Sequence, residues 1–163
     1  MKTALVMCLC AAVLPLTAGC DSMKQPDHST SMQAQLSLYT RLGGEPAIKA
    51  VVDDFVARAA GDPKVNFTRV GTAMAWNPSE SNVAHLKLGL VNLIGQLTGG
   101  PQKYTGRDMK TVHRGMMITD AEFNALAADL AASLDKFNVP AKEKGELMTI
   151  VAGTRGDIVE RLN

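Results

Sequence analysis

The chain has 163 residues, with 17 Lys and Arg against 16 Asp and Glu, three Cys, one Trp, two Tyr and four Phe. At roughly 100–200 residues per domain, this length predicts one domain with a single core. The formal charge of +1 excludes a nucleic-acid-binding surface built on excess Lys and Arg. All three Cys lie within the first twenty residues, which excludes a disulfide framework or a thiolate metal site from the rest of the chain.

The first twenty residues have the pattern of an export signal. Lys2 precedes an apolar run over 4–14, which is shorter than the ~20 residues of a membrane-spanning helix. Residues 16–20, LTAGC, resemble the lipobox of bacterial lipoproteins, although Thr17 stands where that family usually has Leu. The resemblance implies a signal peptide over 1–19, cleavage after Gly19 and lipidation of Cys20. The alternative is an ordinary cleaved signal peptide with a free thiol at Cys20.

A short tether is predicted next. Residues 20–34 combine the lipidated Cys with a polar stretch that lacks hydrophobic periodicity, which is typical of a flexible linker. Asp21 follows Cys20 at the position where Gram-negative lipoproteins often carry an inner-membrane retention signal. The expected location is therefore the periplasmic face of the inner membrane, with the membrane as a partner through the lipid anchor.

Two long amphipathic helices are predicted at the start of the remaining domain, residues 35–163. Apolar residues recur at helical spacing over 48–59, and again over 83–97 after a start signal at 77–80. Glycine pairs at 43–44 and 99–100 mark where the first helix begins and where the second one ends.

A loose stretch over 99–118 separates these helices from the last ones. It is rich in glycine and contains only a short helical piece over 108–114. Thr119 and Glu122 form a capping box that opens a helix through Phe137, and Pro140 separates it from one last helix that includes Ile158. The fold is therefore predicted to be all-α. The loose stretch also indicates that something other than side chains fills the space beside it.

Histidine is scarce in this chain and occurs at three positions: His28, His85 and His113. His113 lies among the soft apolar residues Met109, Val112 and Met116. It could be a partly buried histidine with a backbone partner, or a single imidazole that ligates a metal. With no Cys, no second nearby His and no carboxylate pair, zinc is a poor candidate, whereas haem iron needs only one protein ligand.

The order and spacing of several motifs resemble a group I truncated haemoglobin. They are LYTRLGG at 38–44, VDDF at 52–55, GGP at 99–101, YTGRDMKTVH at 104–113 and IT at 118–119. The resemblance covers about residues 36–160 and implies a two-over-two helical sandwich that holds a b-type haem. In that family the position of His113 is the proximal iron ligand.

The same resemblance assigns haem contacts. The residues concerned are Phe55, Val56, Phe67, Leu86, Leu90, Met109, Lys110, Val112, Ile118 and Phe123. Lys87, Arg107 and Lys110 lie near the expected haem edge and are candidate partners of the propionates, with ordinary surface charges as the alternative.

The distal side, opposite the proximal histidine, departs from the family pattern. Family members usually have a Tyr after Phe55 that donates a hydrogen bond to bound O2, and this chain has Val56. Leu86 and Leu90 occupy the two ligand-facing positions of the next helix, and a Gln is common at the second. The distal pocket is therefore expected to be apolar, with fast O2 release, unless a donor comes from the connection between Phe67 and Leu86.

Candidate donors are Trp76, Thr72 and Asn82, because the connection that carries them is longer than in shorter family members. His85 is a candidate second iron ligand. A gap-free count places it one residue before Leu86 and pointing off the pocket, so a solvated surface histidine is the alternative.

The resemblance implies reversible binding of O2, CO or NO at a haem iron with one protein ligand. Three alternatives remain open at the sequence level. They are an NO dioxygenase-type enzyme with an unknown reductase, a haem-based electron-transfer or sensing lipoprotein, and a haem-free helical lipoprotein that binds an envelope partner.

Overall fold

A computed structural model describes residues 36–161. The export signal, Cys20 and the tether lie outside the described residues. Within 36–161 the chain forms seven helices and no strand, with one isolated bridge between Thr119 and Arg161. The helices are α1 (Leu38–Arg41), α2 (Gly44–Gly61), α3 (Glu80–Leu97), α4 (Met109–His113), α5 (Asp120–Lys136), α6 (Ala141–Gly153) and α7 (Arg155–Ile158). The all-α prediction is confirmed.

The four long helices form two packed pairs. Helix α2 packs on α3 and α5, and α5 packs on α6. Their shared core consists of aliphatic side chains and one Phe, namely Leu38, Leu42, Ile48, Val51, Val52, Phe55, Val56, Val91, Leu130, Leu134 and Leu147. This is the predicted two-over-two sandwich. No helix in the described part of the chain is long and apolar enough to span a bilayer.

The predicted start signals place the helices that carry the site. Ser79 caps α3 by accepting from the Asn82 backbone N–H. Asp108 caps α4 by accepting from the Thr111 N–H at 2.9 Å. The capping box of Thr119 and Glu122 is present at the start of α5, with both of its hydrogen bonds formed. Because side-chain caps satisfy otherwise unpaired N–H groups, even the five-residue α4 has a defined first turn.

The glycine pairs bring the ends of α2 and α3 together around Tyr39. The Tyr39 hydroxyl accepts hydrogen bonds from the Glu45 N–H and from Gln102 Nε2, both at 2.9 Å. A Cβ on Gly100 would lie 2.5 Å from Tyr39 Cδ2, so only glycine allows this close approach. At the start of α2, Gly43 adopts φ = 93°, a left-handed conformation that favours glycine.

The last helix differs from its prediction. Instead of one helix that includes Ile158, the structure has α6 and α7, separated at Thr154. The Thr154 hydroxyl donates to the Val151 carbonyl at 2.7 Å, and two glycines, Gly153 and Gly156, weaken helix propensity at the break. The break matters for the site because it allows α7 to pack against α4, the helix that ends at His113.

Candidate functional site

A cavity of about 760 Å³ is lined by residues of α2 to α7 and of the segment between α2 and α3. This volume is within the roughly 300–1,000 Å³ that is typical of small-molecule sites. The wall is mainly aliphatic and aromatic, and it includes residues from the loose stretch over 99–118. The space that the sequence predicted beside this stretch therefore exists.

His113 lies at the C-terminal end of α4, half-buried in the cavity wall. Its Nδ1 is 2.7 Å from the Met109 carbonyl oxygen. Since a carbonyl only accepts, Nδ1 carries the proton, and in the neutral ring Nε2 then has the lone pair. Residues 36–161 contain no group of three or more His, Cys, Asp or Glu that could hold a metal ion. A backbone carbonyl therefore fixes the orientation of the His113 ring in the cavity wall.

Most of the predicted haem-contact residues come together in the cavity wall. Those that line it are Phe55, Val56, Phe67, Leu86, Leu90, Met109, Ile118 and Phe123. Lys110 and Val112 do not. Met109 and His113 are four residues apart and share the cavity-facing side of α4, whereas Lys110 and Val112 lie to either side of it.

The wall formed by α2 and α3 provides no hydrogen-bond donor from its central side chains. Phe55 and Val56 of α2 are 8% and 3% exposed, and Leu86 and Leu90 of α3 face the same cavity. All four side chains are hydrocarbon, so the central part of this wall is apolar, as expected from the sequence.

The three candidate donors of the connecting segment have other partners. Trp76 Nε1 donates to the Phe67 carbonyl at 2.7 Å. The Thr72 hydroxyl donates to the Arg69 carbonyl at 2.8 Å, and Thr72 is not part of the wall. Asn82 lines the cavity, and its Nδ2 donates to the Asn77 carbonyl at 2.8 Å. The Trp76 indole N–H and the Thr72 hydroxyl therefore already donate to backbone carbonyls.

His85 lines the cavity, contrary to the expectation that it points away. It is also exposed, which places it at the rim. The reason is helical geometry: Asn82, His85 and Leu86 lie three and four residues apart, so they share one face of α3.

The predicted propionate partners separate into two groups. Arg107 is exposed and lines the cavity. Lys87 is not in the wall, and its Nζ lies 3.0 Å from Asp53 Oδ1, on α2. With Lys110 also outside the wall, Arg107 is the one predicted cation among the described residues that borders the cavity.

Sequence reasoning missed a buried ion pair in the wall. Arg69 is 7% exposed, pairs with Glu122 of α5, and both side chains line the cavity. Arg69 Nε has no hydrogen-bond partner within residues 36–161. Burial alone would raise the pKa of Glu122, but hydrogen bonds from Thr119 and Arg69 lower it below its usual value. The capping box identified Glu122, but no local signal linked it to a residue 53 positions earlier.

Comparison with known proteins agrees with this fold. The model of the family described as bacterial-like globin matches residues 37–160. A group 1 truncated haemoglobin of Mycolicibacterium paratuberculosis is 34% identical over 116 residues, which covers 71% of this chain and 79% of that protein. One from a Nostoc species is 30% identical over 125 residues, covering 77% and 98% of the two chains.

Solved structures show the same architecture. The crystal structure of truncated haemoglobin from Tetrahymena pyriformis in the Fe(III) form superposes with a TM-score of 0.67 at 27% identity, covering 77% of this chain and all of that one. The 2/2 haemoglobin of a Synechococcus species, with covalently attached haem, gives 0.65 at 30% identity with the same coverage. The fold is thus a two-over-two helical sandwich of the truncated haemoglobin type. The chain belongs to the bacterial-like globin family.

The residues present fit a haem group. The cavity is large and mainly apolar, one imidazole in its wall is hydrogen-bonded through Nδ1, and a guanidinium stands at its exposed rim. Large flat apolar cofactors need such a pocket, whereas their carboxylates need water or a cation at the edge.

Proposed function

We propose that this protein binds diatomic gas at a b-type haem whose iron is held by His113. The observation that carries the proposal is the 2.7 Å hydrogen bond from His113 Nδ1 to the Met109 carbonyl. It holds one tautomer and leaves Nε2 as the metal-binding nitrogen. When bound, haem supplies a ferrous iron that takes up O2, CO or NO reversibly.

The apolar distal wall determines which gases are held well. Val56, Leu86 and Leu90 exclude water from the gas-binding side but donate no hydrogen bond. Bound O2 carries partial negative charge, so one missing donor in a buried site lowers affinity by roughly ten- to hundredfold. CO and NO depend less on such a donor. These residues favour gas binding with fast O2 release over NO dioxygenation, which needs long-lived O2 binding.

Haem retention tests the role of His113. The purified wild-type domain should bind one haem per chain and show a Soret band. His113→Ala should lose most of that band, whereas His85→Ala, the matched change at the rim, should retain it. Loss of haem in His85→Ala with retention in His113→Ala would contradict the assignment.

We also propose that the protein is exported and lipid-anchored through Cys20 at the periplasmic face of the inner membrane. The support is the apolar run over 4–14, the LTAGC motif and Asp21. The domains are then a signal peptide over 1–19, an anchor and tether over 20–34, and the globin over 35–163.

A fatty-acid analogue tests the anchor. Cells expressing the full chain should label the wild type and recover it with the membrane. Cys20→Ser should lose both the label and membrane association, whereas Cys10→Ser, within the predicted signal peptide, should change neither. Membrane association that is unchanged in Cys20→Ser would contradict the proposal.

A further inference from the structure

The carboxylate of Glu160 holds the segment that follows His113. Its Oε1 accepts from the Gly115 N–H at 2.7 Å, and its Oε2 accepts from the Met117 N–H at 2.6 Å. Both distances are at the short end of N–H···O geometry, as expected when the acceptor is charged. These two hydrogen bonds lower the pKa of Glu160 below its usual value, so the carboxylate is ionised at neutral pH.

The segment held by Glu160 has an unfavourable backbone conformation. Gly115 has φ = 82° and Met117 has φ = 55°. The left-handed region is readily adopted by glycine but uncommon for a residue with a side chain such as Met. The Met116 N–H donates to the His113 carbonyl at 3.0 Å, so the turn begins at the histidine itself. A conformation of this kind persists when surrounding contacts stabilise it.

The backbone beside Glu160 adds further contacts on the same segment. The Glu160 and Arg161 N–H groups donate to the Ile118 carbonyl at 2.9 and 3.2 Å, and the Asp120 N–H donates to the Arg161 carbonyl at 3.3 Å. Helix α7, just before Glu160, packs on α4. The C-terminal segment therefore contacts both the helix that ends at His113 and the turn that leaves it.

We propose that Glu160 is a positioning residue for the proximal histidine. By bridging the N–H groups of Gly115 and Met117, its carboxylate holds the turn after His113 and thereby the direction of the imidazole toward the iron. The proposal rests on the haem function proposed above. Glu160 lies 47 positions after His113 in the sequence. The proposal therefore gives the C-terminal segment an influence on the affinity for haem and on the strain in the bond between the iron and His113 Nε2.

Resonance Raman spectroscopy of the ferrous, gas-free protein tests this role, because the iron–histidine stretching band reports the strength and tilt of that bond. Glu160→Ala removes both acceptors and should shift and broaden the band. Glu160→Gln keeps one acceptor oxygen and should give a smaller shift. Asp157→Asn changes a nearby exposed carboxylate of α7 and should leave the band at its wild-type position.

Haem release to an acceptor protein provides a second readout. Since outer-shell partners of metal ligands commonly contribute 10- to 100-fold to affinity, release should accelerate roughly tenfold in Glu160→Ala. If Glu160→Ala does not fold, the iron–histidine band and the haem release rate of Glu160→Gln test the proposal instead. A lower Tm with an unchanged iron–histidine band would overturn the proposal, because Glu160 would then be only structural. A wild type with no iron–histidine band at all would instead contradict the proposed function.

Discussion

At the scale of single residues, Val56 stands where the resemblance to truncated haemoglobins implies a Tyr. It follows Phe55 on the cavity side of α2 and is 3% exposed. Its two methyl groups fill the place of a hydroxyl-bearing ring. Because Trp76 and Thr72 donate to backbone carbonyls, neither replaces the missing donor in this geometry.

Restoring the donor should therefore slow O2 release. Val56→Tyr is expected to lower the O2 off-rate by roughly ten- to hundredfold, because a buried hydroxyl donor contributes about 1–3 kcal/mol to a negatively polarised ligand. Stopped-flow or flash-photolysis kinetics measure the rate. Val56→Phe adds the same ring without the hydroxyl and should release O2 nearly as fast as the wild type. Equal slowing by both variants would show that bulk, not hydrogen bonding, is responsible.

Some residues of the site could be predicted from the sequence and others could not. His113 was identifiable because it is one of three histidines and lies in a motif of ten residues. The rim position of His85 was missed because a gap-free count gives the residue spacing but not the rotation of α3. Lys110 was predicted from its place in the motif and from its charge, and neither says on which side of the short α4 it lies.

At the scale of elements, Asp54 joins the two layers of the sandwich. It lies on α2, and its Oδ2 accepts from Ser133 Oγ of α5 at 2.8 Å and from Arg58 Nε at 2.7 Å. Lys136, also on α5, pairs with the other oxygen. Lys136 and then Arg58 hold the pKa of Asp54 well below its ordinary value of 3.8.

Because the pKa of Asp54 is depressed, the ionised carboxylate contributes to the free energy of unfolding, and this contribution is lost in acid. The contribution is complete above the unfolded-state pKa and is lost as pH falls toward the folded-state pKa. Asp54→Asn should lower Tm at neutral pH, and the gap to the wild type should narrow between about pH 5 and pH 3. Thermal unfolding followed by circular dichroism measures both.

Asp135→Asn provides the control for Asp54. Asp135 pairs with Lys144 at 2.6 Å, but its side chain is 63% exposed, and exposed pairs contribute little. Its Tm should stay close to the wild type at every pH. A difference in Tm between Asp54→Asn and the wild type that did not change with pH would contradict the prediction that the charge of the Asp54 carboxylate is stabilising.

Element boundaries were predictable where the signal is local. The caps at Asp108 and Thr119 and the glycine pair at 99–100 lie within a few residues of the ends they determine. The break at Thr154 was missed, because apolar spacing continues across it to Ile158. The break depends on the packing of α7 against α4, a tertiary contact that periodicity does not encode.

At the scale of the whole molecule, the low aromatic content of the sequence agrees with a core that contains a large cavity. Of the four Phe, two Tyr and one Trp of the sequence, three Phe and the Trp line a cavity of about 760 Å³ that side chains leave unfilled. Core packing in proteins is normally dense, so a cavity of this size in a domain of this length indicates a space kept for a cofactor. The ion pair of Arg69 with Glu122 in its wall and the hydrogen bonds of Glu160 to Gly115 and Met117 join distant parts of the chain, which is why sequence patterns did not reveal them.

The absorption spectrum of the ferrous protein, before and after CO, tests most directly the central claim that His113 is the one protein ligand of a gas-binding haem. The wild type should show a five-coordinate high-spin spectrum that converts fully to a six-coordinate CO spectrum. His113→Gly should lose this behaviour and regain it with added imidazole. A six-coordinate low-spin ferrous spectrum in the wild type, or unchanged spectra in His113→Gly, would contradict the claim.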